Sequence, residues 1–230
     1  MKTIKLLIFS LFILASVSQY SCSNNNNSSL PQGFVYMSSI CPSIKTDVRY
    51  FGSNNFVGKP IDGYQSPKII CSSQAALALK AAQLELQEIG YSLIIYDAYR
   101  PQRAVHHFMR WAKDLNDTLT KAKYYPNVNK NKLFKLGYIA EKSSHSRGST
   151  FDVSLMDSQG EVLDMGSPFD FFGTISWSNY QGISLQQNEN RMLLQQIMIE
   201  SGFIPYDEEW WHFTLKEEPF PDTYFDFVIK

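Results

Sequence analysis

Phe151-Asp152-Val153-Ser154-Leu155-Met156, with Asp157-Ser158-Gln159-Gly160 and Glu161-Val162-Leu163 behind it, decides the fold class. The first six residues alternate in the manner of a strand. The polar cluster that follows is turn chemistry, and it predicts a hairpin returning through 161–163. A hairpin means antiparallel pairing. Upstream, Leu93-Ile94-Ile95-Tyr96 reads as a buried strand, and Ser72 or Ser73 can cap a helix from Gln74 to about Ile89, with Leu77 and Leu84 on its apolar face and Gly90 as its stop. A second helix starts after Pro101, using the proline in its first turn, and carries His106, His107 and Trp111. Residues 116–137 give no clear pattern. Downstream, a helix from about Gln187 to Ser201 closes at Gly202, and Trp210 to Leu215 forms a last strand. Strands and helices do not alternate strictly, so the expectation is α+β: a single domain with a central antiparallel sheet flanked by helices.

Composition narrows the function classes. The 230 residues are 44% hydrophobic and 19% charged, enough to bury a core in one domain and too apolar for disorder over most of the length. Lys and Arg number 21 against 22 Asp and Glu, with no long run of one sign, so there is no electrostatic footprint for nucleic acid. Aromatics at 14% suit a compact enzyme-like domain better than a coiled coil or a repeat array, and no internal repeat is present.

The N-terminal stretch reads as an address. Lys2 and Lys5 precede an apolar run from Leu6 to Val17, too short for a comfortable permanent membrane span, so residues 1–21 are expected to be a secretory signal. Ser21-Cys22 at its end resembles the bacterial lipoprotein box, in which Cys22 is lipidated. Gln19 and Tyr20 depart from that pattern, and ordinary cleavage near Ser18 is the alternative. Residues 22–29, with four consecutive Asn, are too polar to pack and read as a flexible tether to a domain over 30–230. Without residues 1–21 the balance is 19 basic against 22 acidic side chains, since the segment holds two Lys and no acid. Cys41 and Cys71 then remain, either as a disulfide or as two buried thiols that never meet.

Four His stand in the chain, and their placement is informative because imidazole is the commonest zinc ligand. His106 and His107 are helix neighbours pointing about a hundred degrees apart and cannot share one ion; they read as a partly exposed pair over the core. His145 sits in Ser143-Ser144-His145-Ser146-Arg147-Gly148-Ser149, a loop of small residues just before Asp152, and His212 lies in Glu209-Trp210-Trp211-His212-Phe213. Two His and one carboxylate are a ligand set that leaves a fourth tetrahedral position open, with Glu209 free to act as base. Residues three apart on a strand face opposite sides, so Glu209 and His212 converge only if the chain bends, and Trp210 and Trp211 could hold that bend. The plainer reading is a capping Asp and two structural His. The His-Glu-x-x-His helix, a phosphate loop and the Gly-x-Ser-x-Gly elbow are all missing, and no Cys has a nucleophile signature.

These residues resemble a family. Ser-x-His-x-x-Gly-x-x-x-Asp at 143–152, Asp97-Ala98-Tyr99-Arg100-Pro101 and Glu209-Trp210-Trp211-His212 are similar to the D-alanyl-D-alanine dipeptidases of the VanX type, bacterial zinc enzymes with the Hedgehog/D,D-peptidase fold. The likeness continues through Asp47-Val48-Arg49-Tyr50, Asn55-Phe56, Asp62-Gly63-Tyr64, Met165-Gly166-Ser167-Pro168-Phe169-Asp170, Glu218-Pro219-Phe220-Pro221 and Tyr224-Phe225-Asp226-Phe227. It implies one zinc ion per chain on His145, Asp152 and His212, Glu209 as the catalytic carboxylate, and Arg100 stabilising the oxyanion. It further implies that Asp170 holds the ammonium of the dipeptide while Ser143 and Tyr50 help to bind substrate. Resistance-linked members act in the cytoplasm. The signal sequence departs from them and implies export to the periplasm, as an anchored lipoprotein, with a role in wall turnover or scavenging. Competing expectations are a D,D-carboxypeptidase or endopeptidase on wall peptides, and a non-catalytic zinc-stabilised module that binds wall fragments. Oligomeric state is left open.

Overall fold

The computed structural model describes residues 30–230; the expected signal sequence (1–21) and tether (22–29), with Cys22, lie outside the described residues. In chain order the elements begin with strand β1 (Phe34–Tyr36), helix α1 (Met37–Ile40) and strands β2 (Lys45–Thr46) and β3 (Ile70–Ser72). Helix α2 (Ser73–Glu88), strand β4 (Ser92–Asp97) and helices α3 (Gln102–Lys113) and α4 (Lys121–Tyr124) follow. Strand β5 (Thr150–Met156), helix α5 (Leu185–Glu200) and strands β6 (Phe203–Tyr206) and β7 (Glu209–Leu215) complete them.

A five-stranded sheet in the order β2-β4-β5-β7-β6 carries the fold, with β1 and β3 as a separate antiparallel pair. Every pairing in the large sheet is antiparallel except β2 on β4, which is parallel, so the expected antiparallel sheet is real but mixed at one edge. Strand β5 is its centre. Phe151, Val153 and Leu155 are fully buried, while Asp152 and Ser154 point to the opposite face and are buried as well. The alternation seen in the sequence therefore separates two covered faces.

The predicted hairpin is only half present. Asp157–Gly160 does reverse the chain, with Asp157 N–H donating to Glu161 O at 3.0 Å, but 161–163 contributes a single bridge, Val162 to Met156, and no strand. Strand β7 pairs only with residues 150–152 of β5, so the returning chain meets just the far end of the strand, where Leu163 N also donates to Leu155 O at 2.9 Å.

Helix α2 starts where Ser72 accepts a hydrogen bond from Ala75 N, and Gly90 in the left-handed region follows its end. Its buried face differs from the expected one. Leu77 and Leu84 are exposed, and Ala75, Ala76, Leu79, Ala82 and Leu86 face the core. The two sets are alternative stripes of one helical wheel, and the alanine-rich stripe is the one that lets the helix lie close to the sheet. Pro101 sits at the N-cap of α3 and not within its first turn. Helix α5 begins two residues earlier than expected, at a capping box in which Ser184 and Gln187 satisfy each other's backbone. Cys41 and Cys71 are buried free thiols, which decides the open choice against a disulfide. Among the described residues no helix is long and apolar enough to cross a membrane.

Candidate active site

His145 lies on a single tight helical turn, Ser144–Arg147, that ends at Gly148 with φ +84°. Glycine is required there: a Cβ would stand 2.3 Å from Phe34 Cε1, and the backbone conformation is itself unfavourable to other residues. Asp152 is the third residue of β5, and His212 sits opposite it in the β5–β7 ladder. Loop, central strand and neighbouring strand thus bring three distant positions together.

Their ligand atoms form a near-equilateral triangle. Asp152 Oδ1 lies 3.2 Å from His145 Nε2 and 3.2 Å from His212 Nδ1, and the two nitrogens are 3.3 Å apart. The backbone oxygen of Ala98 is 2.7 Å from His145 Nδ1 and accepts its N–H, which leaves the Nε2 lone pair facing inward. Ser144 Oγ contacts His212 Nε2 at 3.2 Å, leaving Nδ1 facing inward too. Asp152 Oδ1 has no hydrogen-bond partner although it is buried. Three ligand atoms converging at this spacing in a buried site call for a positive charge between them, a proton or a cation. Tetrahedral zinc with Zn–N of about 2.0–2.1 Å needs ligand atoms about 3.3 Å apart, so the donor set fits that ion in both chemistry and spacing.

The bend required of Glu209 and His212 is present. Phe203 to Pro205 pair with Leu215 to Phe213 in regular register, but Tyr206 pairs with Glu209, so residues 210–212 bulge out of the β6–β7 ladder. Trp210 and Trp211 fill the space behind the bulge, with Trp210 Nε1 donating to Ser167 Oγ at 2.9 Å and Trp211 edge-on to Phe169. Glu209 Oε2 consequently lies 3.4 Å from His212 Nδ1.

Charge in the site is set by burial and by neighbours. Loss of water pushes Glu209 up to about 7, against the pull of His212. Burial, aided by Arg100, holds His145 below its usual value and hence neutral. Burial opposes the charge on Asp152, but His145 and His212 outweigh it and keep the carboxyl below the usual range. Burial also raises Asp170 well above a normal carboxylate, with Asp152 adding to the effect.

Arg100 reaches the same centre from the loop after β4. Its Nη2 donates to Asp152 Oδ2 at 3.3 Å and its Nε to Asp97 Oδ2 at 2.9 Å, while its guanidinium lies 5.0 Å from the Tyr50 ring centre. Tyr50 Oη donates to Asp170, 2.9 Å from Oδ2. Asp170 is the one described non-glycine residue with positive φ, +62°, a strained backbone of the kind that accumulates at ligand sites. Tyr50, Arg100, Ser143, His145, Asp152, Asp170, Glu209 and His212 all line one cavity of about 550 Å³, so every site residue named from the sequence within the described region meets in one place. Three supporting groups were not assigned roles from sequence: Asp97, Ser144 and the Ala98 carbonyl. Asp97, buried and bonded by Tyr64 Oη at 2.7 Å, had a visible signal as the acid that ends the β4 run immediately before Ala98-Tyr99-Arg100. The Ala98 carbonyl had none, since any residue could supply it.

Residues 31–230 match the family model described as D-ala-D-ala dipeptidase. The chain is 44% identical over 202 residues to a D-alanyl-D-alanine dipeptidase of Enterococcus faecalis, covering 87% of this chain and 100% of that protein. It is 42% identical over 197 residues to one from Streptomyces coelicolor, covering 85% and 98% respectively. A solved structure of the vancomycin resistance D,D-pentapeptidase VanY with Zn(II) aligns at TM-score 0.40 and 16% identity, over 67% of this chain and 77% of that one.

Proposed function

The chain belongs to the D-Ala-D-Ala dipeptidase family, and from that membership we propose that it hydrolyses D-alanyl-D-alanine with zinc held by His145, Asp152 and His212. The observation that supports this best is the triangle of inward-facing ligand atoms beside a carboxylate, Glu209, that is not part of it. When bound there, zinc supplies Lewis acidity, which lowers the pKa of water and polarises a carbonyl oxygen.

The protein's own groups divide the remaining work. Glu209, with its pKa raised to about 7, accepts the proton of the attacking water and returns it to the leaving amine. Burial alone would weaken the Arg100 charge, but the Asp97 and Asp152 carboxylates beside it hold it, so a fixed guanidinium faces the oxygen on which charge develops. Asp170, held by Tyr50 on the wall of the cavity, pairs with the substrate ammonium, and Ser143 contributes a hydroxyl to binding. An N-acylated peptide brings no counter-charge, so Asp170, whose burial holds its pKa well above a normal carboxylate, stays protonated and the ion pair with the substrate is lost. This favours the free dipeptide over the chain ends of wall peptides, which a D,D-carboxypeptidase would cut. Comparing D-Ala-D-Ala with its N-acetyl form tests the reading: a large preference for the free dipeptide is expected, and equal rates would remove it.

The setting proposed is outside the inner membrane. Lys2, Lys5 and the Leu6–Val17 run read as an export signal, and Cys22 as a lipid-anchor site. The dipeptide available there comes from wall material, so the role is turnover or scavenging. Replacing Cys22 with Ser should release the protein from membranes without altering hydrolysis; membrane retention of that variant would contradict the anchor.

A further inference from the structure

Segment 224–229 has almost no regular structure, yet its backbone bonds go directly to the two turns that carry Arg100 and His145. Phe225 O accepts from Gln102 N at 3.0 Å and Phe225 N donates to Ser146 O at 2.9 Å, so one residue bridges the Arg100 turn and the His145 turn from outside the cavity. The turns are also tied to each other within: Arg100 N donates to His145 O at 3.3 Å, and the Ala98 carbonyl holds the His145 ring. Tyr99, next to Arg100, is locked onto the same segment twice over. Its hydroxyl accepts from Phe227 N at 2.8 Å and donates to Phe227 O at 3.0 Å, and the two rings stack 4.0 Å apart. Asp226 fixes the segment in register by accepting from Arg103 N, Nε and Nη2. Three residues on, Ile229 exchanges backbone bonds with Gly63 and Gln65. Those residues flank Tyr64, whose hydroxyl bonds the Asp97 carboxylate that in turn holds Arg100.

Ordinary packing would bury the aromatic side chains and leave the backbone to pair within its own element. Here the backbone polar groups of 225 and 227 are spent on residues 99, 102 and 146, each one or two positions from a site residue. We propose that segment 224–229 is a positioning element for the dipeptidase site, and that Tyr99 is a positioning residue which acts through Arg100. This rests on the dipeptidase reading above. An oxyanion donor displaced by a fraction of an ångström loses transition-state stabilisation while ground-state binding at Asp170 is untouched.

The test uses the whole domain. Tyr99→Phe keeps the stacked ring and deletes only the hydroxyl. Its kcat on D-Ala-D-Ala is expected to fall roughly tenfold, with KM and zinc content unchanged, and the same substitution in an Arg100→Lys background is expected to alter kcat by no more than about twofold. A Tyr99→Phe kcat equal to that of the parent, or the same fold-loss in both backgrounds, would overturn the proposal. Asp226→Ala, at an exposed position, repeats the test if Tyr99→Phe folds poorly, with a smaller expected loss in kcat alone. Amide hydrogen exchange supplies a readout independent of turnover: it should accelerate at Arg100 and Ser146 in Asp226→Ala, and unchanged protection at both would contradict the proposal. A parent protein inert toward D-Ala-D-Ala but with accelerated exchange would sink the substrate reading and leave the coupling standing.

Discussion

The two walls of the cavity are built differently. The metal-facing wall stands on the β5–β7 ladder, where Asp152 and His212 are register partners and the strand beneath them is buried on both faces. The other wall, with Tyr50 and Asp170, stands on irregular chain: Ile61 N donates to Tyr50 O, the Tyr50 ring packs on Phe56, Tyr64, Phe108 and Phe169, and its hydroxyl holds Asp170, whose backbone is strained. A ladder sets the spacing of groups to a fraction of an ångström and suits an ion that tolerates little variation. Irregular chain admits a backbone geometry no strand could adopt and suits the recognition of one charged end of a small substrate.

Variants should separate the walls. On the ladder wall, Asp152→Ala is expected to abolish both zinc binding and hydrolysis, since one of three ligands is lost; zinc content and turnover measured on the same preparation check this. Glu209→Ala, on the same wall but outside the ligand triangle, should retain zinc and lose roughly 10²–10⁴-fold in kcat, the range of a general base, and normal turnover in it would remove that role. On the irregular wall, Asp170→Asn should lower kcat/KM about a hundredfold, and most of the preference for the free dipeptide over its N-acetyl form should disappear with it. Asn tolerates the left-handed backbone, so thermal stability should change little; Asp170→Ala adds the backbone penalty and should melt lower. Gly148→Ala strikes the hinge between His145 and the core, and a loss of about 1–3 kcal/mol in denaturant unfolding is expected from the clash with Phe34. The smallest effect belongs to Leu77→Gln on the exposed stripe of α2, within about 0.5 kcal/mol of the parent.

The same contrast governs what the sequence reveals. His145, Asp152 and His212 are readable as a candidate ligand set with Glu209 beside it, because few residue types can do that chemistry and the strand pattern around Asp152 is strong. The β6–β7 bulge was readable only as a requirement, from the spacing of Glu209 and His212; that residues 210–212 supply it depends on the fixed pairing of Pro205 with Phe213. The β2–β4 pair was not legible, since Lys45–Thr46 is too short to show a period. Leu77 and Leu84 misled because hydrophobicity alone cannot tell which of two stripes the sheet will accept, and alanine carries the closer packing. The contacts of Phe225 with Gln102 and Ser146 are backbone bonds, and side-chain identity says nothing of them.

The central claim is that His145, Asp152 and His212 share one zinc ion and that hydrolysis depends on it. The direct measurement is D-Ala-D-Ala turnover during removal of zinc by a chelator and its stepwise return, with bound zinc quantified at each step. Turnover should vanish on removal and recover in proportion to bound zinc, reaching its full value at one ion per chain. Undiminished hydrolysis by protein shown to hold no metal would contradict the account.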